Sequence, residues 1–252
     1  MNPMSQSTRN ARLVVCESYE DMSRQAADLI VDEVRRKPSL LFCTATGSSP
    51  TRAYELLVSR AREEPGLFDR LRILKLDEWG GIAPTDAGTS EVYLRRNLLE
   101  PLGVSEDRYI GFRGDAPDLE AECGRIAALL EEQGPIDLCV LGLGVNGHLG
   151  FNEPAAELNP GPHVAELSES TLRHPMIEHV SDRITGGVTL GLASILQSKR
   201  VVLLVSGGQK REAVRRLLAR WVSTDFPASF LWLHGNVDFL FDTHFSDERA
   251  GA

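Results

Sequence analysis

The chain is predicted to be an α/β protein: a three-layer, mainly parallel sheet with helices on both faces, Rossmann-like in type. Three observations predict it. Short apolar runs alternate with helix-spaced segments along most of the sequence, the order that yields a parallel sheet covered on both faces. At 252 residues, 42% hydrophobic and 25% charged, the chain can bury a substantial core without staples. Four of the apolar runs give way, at their carboxyl ends, to glycines, hydroxyls and titratable groups, which is where open α/β sheets keep their sites.

Residues 11–252 read as one domain behind a polar leader, residues 1–10, expected to be disordered. A formal charge of −9 argues against a nucleic-acid surface. It does not argue against a local anion site, for which a few backbone amides and one lysine suffice. Cys16, Cys43, Cys123 and Cys139 form no C-x-x-C pair, so buried reduced thiols are expected. With no secretory signal and no apolar run of about 18 residues, the expectation is a cytoplasmic protein without a membrane partner.

Residues 12–16 read as the first strand. Residues 19–36 place Met22, Ala26, Leu29, Ile30 and Val34 at helical spacing, and Lys37-Pro38 ends that helix. Residues 39–44 are the next strand, running into Ala-Thr-Gly-Ser-Ser-Pro50 and a helix over 51–62. Gly47 permits a tight turn, Pro50 suits a first helical position, and a helix start among small residues offers free N–H groups to an anion. The plainer reading is that Ser49 is an N-cap; the two are compatible. Residues 71–76 are a third strand, ending in Asp77-Glu78-Trp79-Gly80-Gly81 with two carboxylates at its carboxyl edge. A loop over 84–90 leads to a helix over 91–100, a short strand over 108–112 and a helix over 118–133.

The most informative stretch follows. Residues 136–140 are a strand of buried type, after which Gly142, Gly144, Gly147 and Gly150 open a loop holding Asn146, His148, Asn152 and Glu153. The first three glycines spell G-x-G-x-x-G. A dinucleotide site would need a helix to open at once, with an acidic residue about 20 positions on; Pro154 interrupts any helix begun here, and no nicotinamide or flavin is expected. Residues 155–185, with prolines at 160, 162 and 175, read as a lid or binding loop. Residues 187–191 begin another strand-to-helix junction. Residues 199–205 are a strand followed by Ser206-Gly-Gly-Gln-Lys210 and a helix over 211–221; Lys210 is placed either to reach an anion or simply to sit on the surface. Residues 230–234 are expected to be the last strand, with 235–252 trailing off. The four strand ends, 44–50, 76–79, 141–153 and 205–210, fit a single crevice at the sheet edge.

Leu76-Asp-Glu-Trp, Thr46-Gly-Ser-Ser-Pro and Gly142-Leu-Gly-Val-Asn-Gly-His-Leu-Gly-Phe-Asn-Glu-Pro resemble the glucosamine-6-phosphate deaminase family, the aminosugar-phosphate deaminase/isomerases. The match spans roughly residues 12 to 242. Lys75-Leu-Asp-Glu-Trp79, Asp137 to Gly144, Asn146-Gly-His-Leu-Gly150 and Pro227 to His234 look like its galactosamine-6-phosphate branch. The resemblance implies a reaction without metal or cofactor, in which an aldose 2-amino-6-phosphate becomes a ketose 6-phosphate plus ammonia. By position it implies that Asp77 is the base moving a proton from C2 to C1, and that His148 opens the ring at O5 with Glu153 orienting it. Thr46, Gly47, Ser48 and Lys210 match phosphate-binding positions. The partner implied is a small phosphosugar; self-association is left open.

That chemistry calls for these residue types on its own terms. One carboxylate beside two adjacent carbons can carry a proton between them, imidazole titrates where a hemiacetal must be opened, and a remote phosphate supplies binding energy to hold the reacting carbons in line. Two departures stand out. Asn146 replaces an aspartate of the glucosamine enzymes, which predicts an amide accepting from the imidazole without adding charge. The lid arginine has two candidates, Arg173 and Arg183. The sugar epimer, galacto or gluco, stays open. The rival functions are a phosphosugar lactonase on the same fold, which would share the Gly-His loop, and a non-catalytic phosphosugar sensor. Zinc would want three or four convergent ligands, and six scattered histidines without H-x-x-x-H do not offer them.

Overall fold

The computed structural model describes residues 10–173 and 175–242. The expected leader lies outside them except for Asn10, which begins the first strand. The chain runs β1 (Asn10–Val15), α1 (Tyr19–Arg36), β2 (Leu41–Thr44), α2 (Ser48–Glu63), β3 (Arg72–Lys75), β4 (Asp77–Gly80), α3 (Ser90–Leu94), β5 (Tyr109–Ile110) and α4 (Leu119–Gln133). It continues through β6 (Leu138–Gly142), β7 (His163–Ala165), α5 (Glu169–Leu172), β8 (Gly186–Thr189), α6 (Leu192–Leu196), β9 (Arg200–Val205), α7 (Arg211–Leu218) and β10 (Asn236–Phe241).

Seven strands form a parallel sheet in the order β1-β10-β9-β6-β2-β3-β5. Because side chains alternate along a strand, each buried strand feeds two cores. Leu41 and Cys43 join one with Leu203 and Phe239, under α4, α6 and α7; Leu40 and Phe42 join the other with Leu204 and Leu240, under α1 and α2. This is the three-layer α/β architecture, with helices on both faces. Chain order runs outward from the centre in both directions, through β2, β3 and β5 on one side and through β6, β9 and β10 on the other, with the first strand, β1, added outside β10. The switch point between β2 and β6 is where such sheets form their crevice.

A second, antiparallel sheet, β4-β8-β7, stands on the carboxyl edge of the first. It corrects the expectation of one uninterrupted lid over 155–185, since residues 163–165 are a strand of this sheet. The two sheets meet at Leu76, whose N–H donates to Thr44 of the large sheet at 3.2 Å and whose carbonyl accepts from Leu190 at 3.0 Å.

Three other expectations are corrected. Residues 230–234 are not a strand: Pro227–Leu233 form a 3₁₀ run that buries Ala228 and Leu231 at a spacing of three, the period of that helix. The last strand is β10, inside the segment expected to trail off. Its polar middle residue, Asp238, is satisfied by Arg12 and Arg200 at 2.8 Å each, so an apparent loop sequence sits between β1 and β9. The second helix begins at Ser48 rather than Thr51, with Gly47 at φ +102° as its cap and Ser49 inside it.

Phe239 is fully buried and its ring lies against Trp232 and Phe241. Phe239→Ala is expected to destabilise the protein by about 3–5 kcal/mol, measured by urea unfolding. A loss below about 1 kcal/mol would show that β10 is not a central strand.

Candidate active site

The carboxyl ends of β9, β6, β2 and β3, adjacent in the sheet, open into one cavity of about 350 Å³, a volume suited to a small molecule. Asp77 and His148 both line it, although 71 positions apart in sequence. Thr46, Gly47, Ser48 and Lys210 line it as well. Among its described lining residues Asp77 is the one carboxylate, facing His148, Lys210 and Arg173.

The Thr46–Ser48 turn is held from behind. Tyr54 donates to the Ala45 carbonyl at 2.9 Å, Tyr19 to that of Ser48 at 2.6 Å, and Thr51 and Tyr93 to that of Gly47 at 2.8 and 3.1 Å. With these carbonyls tied back, the start of the sixteen-residue α2 turns its free N–H groups toward the cavity, where a helix dipole favours an anion. Lys210 closes a short 3₁₀ turn, Gly208–Lys210, before α7. Burial lowers its pKa, and among the described residues no carboxylate pairs with it.

Of the adjacent pair Asp77 and Glu78, only Asp77 faces the cavity, because neighbours on a strand point to opposite faces. Glu78, 2% exposed, accepts from the backbone N–H groups of Trp79, Ser90 and Glu91 at 2.8–2.9 Å and from Lys75 Nζ at 2.7 Å. Lys75, itself 1% exposed, also meets Glu91 at 2.7 Å. Burial, and then the charge of Glu78, push the Asp77 carboxyl up to about 7 against the opposing influence of Lys75 and a hydrogen bond from Ser90. A carboxylate that is half protonated near neutrality can both take and return a proton.

His148 rests on Gly144: a Cβ there would stand 2.6 Å from Nε2. Its Nδ1 lies 3.4 Å from Glu153 Oε2, which leaves Nε2 for the cavity. Asn146 and Glu153 sit behind the imidazole and do not line the cavity. The predicted contact of Asn146 is corrected here. Its oxygen accepts from the backbone N–H of His148 at 3.2 Å, not from the ring, and its Nδ2 donates to Glu153 at 2.7 Å. Burial alone would raise the Glu153 pKa, but the hydrogen bond and charge of His148, with hydrogen bonds from Thr171 and Asn146, hold it at about 2. Gly150, at φ +57°, lets this loop pass Asp77; a Cβ there would meet Thr189 Oγ1 at 2.6 Å and Asp77 Oδ2 at 3.4 Å.

Of the two lid arginines, Arg173 lines the cavity and pairs with Glu169 at 2.7 Å. Arg183 does not; it holds Asp86 at 2.6 Å, next to His179 at 3.1 Å. Thr171, Gln209, Ser90 and Trp79 also line the cavity and were not singled out from sequence; nothing local distinguishes them. Lys75 did carry a signal, as a charge inside an apolar strand. Among the described residues no three His, Cys, Asp or Glu groups are placed to hold a metal ion, and no helix is long and apolar enough to cross a membrane.

Residues 17–239 match the family model of glucosamine-6-phosphate isomerases/6-phosphogluconolactonase. The chain is 41% identical over 227 residues, 90% of each chain, to the putative deaminase AgaI of Escherichia coli K12. It is 36% identical to glucosamine-6-phosphate deaminase 1 of Bacillus subtilis 168, over 92% of this chain and 96% of the relative. A solved monomeric glucosamine-6-phosphate deaminase is similar with a TM-score of 0.88 and 35% identity, over 94% of this chain and 100% of that one. The 6-phosphogluconolactonase of Trypanosoma brucei, at 23% identity and a TM-score of 0.76 over 96% and 100% of the two chains, shares the fold.

Two outcomes are expected from this geometry. The Asp77 pKa rises from 3.8 in the unfolded chain to about 7 when folded, so between those values only the unfolded state loses this proton and stability falls as pH rises. Asp77→Asn should therefore gain more stability at pH 8 than at pH 5, by roughly 3 kcal/mol; equal gains in urea unfolding at both pH values would contradict the buried, raised carboxyl. Gly144→Ala should displace the imidazole and lower kcat about 100-fold with the fold retained by circular dichroism; unchanged turnover would mean that the ring is not seated as described.

Proposed function

The chain belongs to the glucosamine-6-phosphate isomerase/6-phosphogluconolactonase family, and on that premise we propose that it is a hexosamine-6-phosphate deaminase and isomerase. The observation that supports this most directly is the shared cavity: one carboxylate with its pKa at about 7 and one imidazole face the same space as the start of α2 and a lysine that pairs with no carboxylate among the described residues. The α2 turn with Thr46, Gly47 and Ser48, together with Lys210, holds the phosphate, and Arg173 rather than Arg183 is the lid arginine. His148, its Nδ1 directed at Glu153, takes the proton of the anomeric hydroxyl on Nε2 and passes it to O5 as the ring opens to the aldehyde.

Asp77 then takes the proton from C2 while O1 gains the proton that the substrate's ammonium group gives up, which leaves an enolamine, and Asp77 returns its proton to C1. The product is a ketimine with C1 as CH₂OH. Water adds at C2 and ammonia leaves, so one aminosugar phosphate and one water give one ketose 6-phosphate and one ammonia. Because one group must both accept and donate, a pKa near the working pH serves each half of the transfer. Asn146 keeps Glu153 oriented without placing a second negative charge beside it. No step requires a cofactor.

For the substrate we propose galactosamine 6-phosphate, converted to tagatose 6-phosphate. The motifs of the galactosamine branch and the amide at position 146 support this over glucosamine 6-phosphate and fructose 6-phosphate. Lactone hydrolysis is the weaker reading, since similarity to the lactonases lies at the level of the fold.

The deciding experiment measures ammonia release from both hexosamine 6-phosphates, side by side with 6-phosphogluconolactone hydrolysis. Galactosamine 6-phosphate should show the higher kcat/KM. That kcat/KM should rise with pH through about 7 as Asp77 ionises, and Asp77→Asn should abolish turnover while inorganic phosphate still protects against thermal unfolding. Ordinary turnover by that variant would end the assignment of the base, and preference for the glucosamine substrate would reverse the epimer.

A further inference from the structure

We propose that Thr171, assisted by Ser168, is a positioning residue that ties the His148–Glu153 pair to the helical turn carrying Arg173, so that the imidazole is set for ring opening only while that turn is docked. The inference rests on the functional reading above and extends it to residues that make no assumed contact with the sugar.

The two oxygens of Glu153 are served from different directions. Oε2 accepts from Asn146, in the loop that carries His148 itself. Oε1 accepts from Ser168 Oγ at 3.2 Å and from the Thr171 hydroxyl, both from the α5 turn. If α5 withdraws, Oε1 loses these two donors together.

The Thr171 hydroxyl has one proton and gives it to Glu153, so its oxygen can accept, and Ser168 Oγ already stands 3.1 Å from it. That oxygen lies 3.5 Å from His148 Nδ1, and Glu153 Oε2 lies 3.4 Å from the same nitrogen. A proton on Nδ1 thus has two acceptors, which favours the tautomer with Nε2 unprotonated. Glu153 keeps its negative charge well below neutral pH, so this bias persists wherever the enzyme works.

The turn itself is small. α5 comprises four residues, capped by Ser168 Oγ, which accepts from the Thr171 N–H at 3.3 Å. So short a helix has no stability of its own, and its hold on Glu153 is part of what orders it. Arg173 follows directly and lines the cavity, paired with the exposed Glu169. An anion that draws Arg173 inward therefore pulls on a turn already fastened to the carboxylate of Glu153.

The test uses the full chain with ¹⁵N-labelled histidine, His148 being assigned by loss of its signal in His148→Gln. At pH 8 the wild type should show the Nδ1–H tautomer, Thr171→Val a mixture, and Thr171→Ser the wild-type pattern. Thr171→Val should lower kcat about 10- to 100-fold with KM changed less than about threefold, Thr171→Ser should stay near wild type, and Ser168→Ala should move the same way as Val but less. A wild-type tautomer and kcat in Thr171→Val, or equal impairment in Val and Ser, would overturn the proposal. Should the Val variant not fold, an unchanged tautomer in Ser168→Ala would do the same. The NMR arm needs no turnover, so absent ammonia release would refute the functional reading while leaving this wiring to stand or fall separately.

Discussion

The site depends on a single backbone crossing at Leu76. Its N–H completes the parallel sheet and its carbonyl begins the antiparallel one, so β3 and β4 lie in different sheets with one residue between them. Asp77 is thereby lifted off the carboxyl edge of the large sheet and pinned opposite Thr189 in the small one. The same Thr189 hydroxyl accepts from the Phe151 N–H at 3.2 Å, so the histidine loop is tied to the strand pair that carries Asp77. Asn152 adds two bonds of the same kind, donating to the Leu149 and Leu190 carbonyls at 2.7 and 2.8 Å. Two residues distant in sequence share a cavity because both are fastened to one junction.

The junction is costly, and the surrounding charges show how it is stabilised. Lys75, Glu78 and Asp77 are all at least nine-tenths buried within three positions, and a buried charge requires a partner. Lys75 is matched by Glu78 and Glu91, and Glu91 in turn by the Tyr109 hydroxyl at 2.7 Å and Arg95 at 2.7 Å. Glu78 clamps the start of α3 through the Ser90 and Glu91 N–H groups. Asp77 is the member left over. Buried beside the charge of Glu78, and with no ion-pair partner among the described residues, it keeps its proton to higher pH, and this shortfall in stability is the property that the proposed carbon-to-carbon proton transfer would use.

Much of this was legible from the residues. Apolar runs alternating with helical spacing gave the layered sheet, and His148, Glu153, Asp77 and the Thr46–Ser48 turn carry rare residue types at strand ends. What escaped did so for physical reasons. β10 is hard to read because Asp238 makes its strand look polar, and its partners among the described residues, Arg12 and Arg200, stand more than 35 positions away. Residues 230–234 looked like a strand because a dense apolar run reads alike in either period. The second sheet is hard to read because β7 is only three residues long, β8 opens on two glycines, and the two pair across 20 intervening residues. The contact of Asn146 is not fixed by its residue type, because an amide offers a donor and an acceptor, and here the acceptor meets the His148 backbone N–H and the donor meets Glu153. Thr171 lies in a polar stretch with no period; only Glu153, brought near by the fold, gives it meaning.

A chain of net charge −9 is well suited to an anionic substrate once distance is considered. At physiological ionic strength charges beyond about 8 Å are largely screened, so the potential in the cavity is set by the groups that line it, and there the bases outnumber the one acid. Asp77, moreover, is only partly ionised near neutrality, which weakens the repulsion it would otherwise exert. Lys210 is half-buried and lacks a counter-charge among the described residues; its lowered pKa is the sign of that cost. A phosphate seated on the α2 turn would relieve it, favouring the charged ammonium while satisfying the free N–H groups beside it. Anion binding and lysine protonation therefore reinforce each other, and the binding energy released at the phosphate end becomes available to order the lid turn and the imidazole behind it.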